Sequence, residues 1–68
     1  MTQIFAERLK ELREEKGLSI RMLSKEVGYS DVAIGRWESK KQIPNIETLI
    51  TFAKYFNVSS DYLLGLED

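Results

Sequence analysis

The stretch SIRMLSKEVGYSDVAIGRWES, residues 19–39, decides the fold. Ser19 has a side-chain oxygen that can accept from an amide two or three residues on, which is what a helix N-cap does, and it opens a short helix over Ile20–Val27. Leu23 and Val27 lie four residues apart, hence on one helix face, and are expected in the core. Gly28 stops this helix, and Ser30 caps the next one, from Asp31 to about Ser39. Ile34 and Trp37 mark the inner face of that second helix, and Trp37 is assigned to the core rather than to base stacking.

The link Val27-Gly28-Tyr29-Ser30 leaves three or four residues between the two helices. A connection that short forces a sharp crossing, the geometry of a helix-turn-helix. Tyr29, on the turn, either packs over it or turns its hydroxyl to a partner.

Working outward, the flanks are helical too. Phe5, Leu9 and Leu12 follow an i, i+4, i+7 pattern in a first helix from about Thr2 to Lys16, closed by Gly17. After a loop at Lys40–Ile43 comes Pro44, which a helix interior does not tolerate. Asn45 then caps a helix over Ile46–Phe56 with Leu49, Phe52, Ala53 and Phe56 on its inner stripe, and Asn57 takes the left-handed position at its end. Ser59 caps a last short helix through Leu64, with Gly65 behind it; Tyr55 and Tyr62 are expected half-buried with wet hydroxyls. No strand alternation or Asn-Gly or Asp-Gly hairpin signal interrupts this series. The expectation is a single all-α domain over residues 1–68 with five short helices.

Composition bounds the chemistry. A chain of 68 residues buries only about 60% of its unfolded surface, and 43% hydrophobic content suffices for one core. With neither Cys nor His, disulfides, the usual zinc sites, a histidine base and a cysteine nucleophile are all excluded. No Gly-rich phosphate loop appears, and adjacent acids such as Glu14-Glu15 and Glu67-Asp68 do not face each other. An enzyme, a metal and a cofactor are therefore not expected. The N-terminal segment alternates apolar and charged residues, unlike a signal peptide, and no apolar run approaches the roughly 20 residues of a membrane span. A cytoplasmic location is the expectation.

The net charge of −1 is unevenly spread. Residues 1–18 carry four basic and four acidic side chains. Residues 19–42 carry five basic (Arg21, Lys25, Arg36, Lys40, Lys41) and three acidic ones, and residues 43–68 carry one basic and four acidic ones. Such a dipolar layout would orient the domain on a phosphate backbone, though ordinary scatter of surface charge reads the same way.

In a helix-turn-helix the first helix of the motif crosses the sugar-phosphate backbone and the second enters the major groove. Helix N-termini, with free N–H groups and the positive dipole end, suit phosphates. Small residues at the head of the groove-entering helix allow close approach, which Val32 and Ala33 meet, and their methyl groups match thymine methyls.

The pieces FAERLKELREEKGLS, LSKEVGYS, AIGRWESKKQIPNIETL and AKYFNVSSDYLLG, in that order, resemble the Cro/CI-type (XRE) helix-turn-helix family of phage and bacterial repressors over nearly the whole chain. The resemblance implies a five-helix lambda-repressor-like domain that binds double-stranded operator DNA, usually as a dimer. On the matching positions, Ser30, Asp31, Val32 and Ala33 begin the recognition helix and Arg36 is a further base or phosphate contact. Lys40 and Lys41 fall in the loop that grips phosphate, Ser19 and Arg21 at the second-helix N-terminus, and Asn45 near the backbone. Arg13 and Glu38 match a structural salt bridge pinning the first helix to the third.

Three positions depart from the family pattern. Ile20 stands where Gln often braces a backbone contact, and Arg21 is its candidate replacement. Asp31 is an acid where Gln, Arg or Ser is common; it either accepts from a cytosine amino group or serves the helix dipole. Gly35, inside a helix at a cost of about 1 kcal/mol relative to Ala, either permits close packing on DNA or is simply tolerated.

The reading is a sequence-specific regulator, most simply a repressor, binding an inverted repeat as a homodimer. The competing reading is a protein-interaction module on the same fold, such as an antitoxin or anti-repressor. The chain is expected to be nearly all DNA-binding domain with no ligand-sensing module or small-molecule ligand. The dimer contact then falls to Tyr62, Leu63, Leu64 and Leu66, unless Leu63 and Leu64 only close the core.

Overall fold

A computed structural model describes residues 2–67; Met1 and Asp68 of the expected domain lie outside the described residues. Five helices follow in chain order: α1 (Thr2–Glu15), α2 (Ile20–Val27), α3 (Asp31–Glu38), α4 (Ile46–Phe56) and α5 (Ser60–Leu64). Among the described residues there is no strand. The boundaries differ from the sequence reading by one residue at two places: Lys16 lies in the turn after α1, and Ser39 is the C-cap of α3.

Each of the last four helices starts on the cap that the sequence offers. The side chains of Ser19, Ser30, Asn45 and Ser59 accept from the amides of Met22, Ala33, Thr48 and Tyr62, all in extended backbone. Such caps contribute about 1 kcal/mol each, a large share for helices of 5 to 11 residues.

The helix ends are equally regular. In α1, α3, α4 and α5, a left-handed residue is followed by paired amide-to-carbonyl bonds that satisfy the last turn, as in Lys41 N–H to Arg36 O at 2.9 Å and Lys40 N–H to Trp37 O at 3.2 Å. Asn57 fills this role at the end of α4, with φ 56°, as its residue type suggests. At the end of α3 the left-handed residue is Lys40, with φ 68°. A side chain bearing a Cβ costs about 1–2 kcal/mol there, so the sequence gives no warning of it. Gly65 is required twice over: its φ is 79°, and a Cβ would lie 2.7 Å from the Ile4 side chain.

The core is built from all five helices. Phe5 and Leu9 of α1, Leu23 of α2, Ile34 and Trp37 of α3, Phe52 and Ala53 of α4 and Leu63 of α5 are buried together. Phe52 is central, with its ring against Phe5, Trp37, Tyr29 and Phe56 at centroid distances of 5.7–6.3 Å. Trp37 stands edge-to-face to both Tyr29 and Phe52, which fixes α3 by its inner side and leaves the other side free. Val27, Leu12, Leu49 and Phe56 pack around this centre, partly buried.

Candidate nucleic-acid interface

The outward face of α3 follows from its register. Residues advance about 100° per position, so with Ile34 and Trp37 inward, Asp31, Val32, Gly35 and Arg36 share the outer side. Val32 is 62% exposed, and Asp31 and Arg36 are exposed as well. Ala33 is half-buried against the core. Of the two small residues expected at the head of the helix, only Val32 therefore offers its methyl groups outward, because Ala33 lies on the same side as Trp37.

The start of α2 meets the start of α3. Arg13, Ser19, Ile20, Arg21, Asp31 and Val32 line one shallow, open depression. Ser19 and Ser30 cap the two helices there, and Arg21 is exposed at its rim. Ile20, where the family pattern often has Gln, packs partly into the core. Asp31 has a local partner: its Oδ1 accepts from the Val32 amide at 2.9 Å. The carboxylate therefore sits on the helix N-terminus, where the helix dipole favours an anion.

Arg13 and Glu38 fix the relation of α1 to α3. The Arg13 Nε donates to Glu38 Oε2 at 2.7 Å and Nη2 to Oε1 at 3.0 Å, while Nη1 donates to the Leu18 carbonyl at 2.7 Å. The pair is largely buried, with side-chain exposures of 11% and 7%. The hydrogen bond donated to Glu38 raises the Arg13 pKa, against an opposing effect of burial. The guanidinium is thereby held in one orientation between two helices.

The loop after α3 carries Lys40 and Lys41, both exposed. Lys40 Nζ lies 3.5 Å from Glu7 Oε2 of α1, a pair open to solvent on both sides. Lys41 is exposed beside it, and Asn45 uses its side-chain oxygen to cap α4.

The expected dimer residues separate. Leu63 is fully buried in the core and drops out of any dimer surface, since its side chain packs inward and leaves nothing exposed to a partner. Tyr62 is half-buried with the Arg8 guanidinium 4.2 Å above its ring. Leu66 is 64% exposed. Leu64 lines an apolar recess of about 170 Å³ with Phe5, Ile43, Pro44, Ile46 and Leu49. Ile43 and Ile46 are exposed at 63% and 75%, and sequence reasoning missed both; two isoleucines flanking a proline outside a helix stripe were the available signal.

Arg8 was also missed. Its Nη1 donates to the carbonyls of Tyr62 and Glu67 at 2.6 and 2.7 Å, tying the chain after α5 to α1. Glu67 also accepts from the Ser59 hydroxyl.

Among the described residues no group of acidic side chains is placed to hold a metal ion. No described helix is long and apolar enough to cross a membrane.

Comparison with known proteins agrees with this geometry. A family model described as helix-turn-helix matches residues 9–63. The HTH-type transcriptional activator BcrR of Enterococcus faecalis is 41% identical over 64 residues, covering 94% of this chain and 31% of that protein. Repressor protein C2 of Salmonella phage P22 is 40% identical over 63 residues, covering 93% of this chain and 29% of that protein. The chain thus spans about a third of the length of these two relatives. A crystal structure of the P22 c2 repressor with a synthetic operator superposes at a TM-score of 0.80 with 37% identity, over 87% of this chain and 89% of that one.

Proposed function

The chain belongs to the Cro/CI-type helix-turn-helix family of transcriptional regulators, and from that premise we propose that it binds double-stranded DNA sequence-specifically, as a homodimer on an inverted repeat. The observation that carries the reading is the joining of two capped helix starts, Ser19–Arg21 and Ser30–Val32, around one open depression. Two positive helix ends on one side suit phosphate, and the exposed Val32–Arg36 side of α3 beside them suits base edges in the major groove.

The roles divide by chemistry. Ser19, Arg21, Lys40, Lys41 and the neighbourhood of Asn45 face phosphate; Val32 offers methyl groups to thymine; Arg36 reads a base edge or the flanking phosphate. Ser30 and Asp31 hold the N-terminus of α3 in its helical form. The acidic net charge is compatible with this, because the basic side chains gather in residues 19–42. Two copies meet through the apolar recess, with Ile43, Ile46 and Leu64 as the contact and exposed Leu66 as a further contact residue. Clustered exposed apolar residues of this kind mark interaction surfaces. A reading as repressor follows the phage relative, and as activator the enterococcal one; repression is the reading adopted. A cytoplasmic location belongs to the same reading, since the DNA is there.

The test is the salt dependence of binding to a labelled duplex. If phosphates are neutralised, log affinity falls linearly with log salt, by about 0.9 per phosphate contact. Absence of binding at low salt, or an affinity indifferent to salt, overturns the proposal and favours a protein partner instead.

A further inference from the structure

Gly35 is a glycine that the fold does not require. The other three glycines, Gly17, Gly28 and Gly65, have φ of 70°, 82° and 79°, where a Cβ is strained. Gly35 lies inside the regular helix α3, without positive φ. A Cβ built on it meets nothing within 4 Å beyond the helix itself. No neighbour packs against its Cα closely enough to demand a bare backbone, and a helix interior disfavours glycine.

Its position is nonetheless specific. Gly35 stands three residues after Val32 and four after Asp31, so at about 100° per residue it lies between them on the outer side of α3, itself half-buried. The outer side is therefore notched between exposed Asp31 and exposed Val32 by a residue with no side chain. A helix with its side chains is about 10–12 Å across, and the major groove is about 12 Å wide. At that fit, one methyl group beside the Val32 line of the helix bears on how far its axis descends.

We propose that Gly35 is a specificity-determining position that sets the depth of α3 in the major groove, its notch admitting a base edge that brings Val32 and Arg36 within reach of neighbouring bases. This rests on the reading of α3 as the groove-entering helix. Gly35 makes no hydrogen bond to a base through a side chain; it acts by the space it leaves. Alanine at this position fills the notch while strengthening the helix.

The test is Gly35→Ala, with Gly35→Ser as a second variant of similar size, measured in three ways. Thermal unfolding is expected to rise by about 4–8 °C for Gly35→Ala, the reverse of a packing defect. Affinity for the best duplex selected by the unmodified chain is expected to fall about tenfold or more, and affinity for an unrelated duplex at the same salt to stay unchanged. A stabilised Gly35→Ala with undiminished affinity for the selected duplex overturns the proposal, as glycine is then merely tolerated. A lowered melting temperature overturns it too, and so does equal weakening on both duplexes. If the unmodified chain selects no duplex at all, it is the DNA-binding reading that has failed, a result visible before any variant is made.

Discussion

Arg13 and Glu38, 25 residues apart in sequence, meet in a two-pronged ion pair at 2.7 and 3.0 Å that locks α1 to α3. Since both side chains are about nine-tenths buried, removing either partner strands the other without water. Arg13→Ala is expected to cost about 3–5 kcal/mol and Glu38→Gln somewhat less, because the amide keeps the shape and part of the hydrogen bonding. In a chain of 68 residues the first change lowers the melting temperature by more than about 10 °C. Circular dichroism melts of the two variants check this, and an unchanged melt for Arg13→Ala would contradict a structural role.

Arg36 is exposed on the outer face of α3, free of any ion pair among the described residues. Arg36→Ala is expected to leave the melt unaltered and to weaken specific binding by about 1–3 kcal/mol, with relaxed preference at one base pair. Affinities across single-base operator variants check it. Uniform loss on all duplexes would make Arg36 a phosphate contact instead.

Lys40 and Lys41 should act without regard to sequence. The Lys40–Glu7 pair is solvent-exposed and so holds Lys40 weakly. Changing both lysines to alanine is expected to weaken binding to every duplex and flatten the log–log salt slope by about 2. An unchanged slope would remove them from the interface.

Tyr55 gives a pH-dependent signature. Partial burial, then the charge of Glu26 and the hydrogen bond donated to it at 3.3 Å, raise the phenol pKa above its ordinary value of 10.0. The folded state therefore holds this proton more tightly than the unfolded one. The stabilisation linked to it is complete below the unfolded pKa and is lost as pH rises through the folded one. Phenolate absorbance, with Tyr55→Phe to assign the signal, should show Tyr55 titrating above its ordinary value, and Glu26→Gln should move it earlier.

The dimer surface is tested at Ile46, 75% exposed at the rim of the apolar recess. Ile46→Asp is expected to keep the melting temperature of the monomer and to lower operator affinity and dimer content in sedimentation together. Retained dimer content would move the contact elsewhere.

What the sequence made legible was local. Ser19, Ser30, Asn45 and Ser59 announce helix starts because a cap bonds only within its own first turn. Leu23, Ile34, Trp37 and Phe52 declare their burial by helical spacing. The Arg13–Glu38 pair came through family resemblance, since no periodicity links positions so far apart. Arg8 reaching the Tyr62 carbonyl, 54 residues away, had no signal at all. Thr48, buried as part of the first turn of α4, carries a polar side chain that argues for the surface. Leu63 was ambiguous for a different reason: among the leucines at the end of α5 and just after it, only the packed fold separates the core residue from exposed Leu66.

The central claim is that the outer face of α3 reads base sequence in a symmetric pair of grooves. Selection of bound duplexes from a random pool at one fixed salt concentration tests it most directly. The expected product is an inverted repeat with half-site centres one helical turn apart, about 10–10.5 base pairs. A retained pool with the same base composition at every position as the input would contradict it.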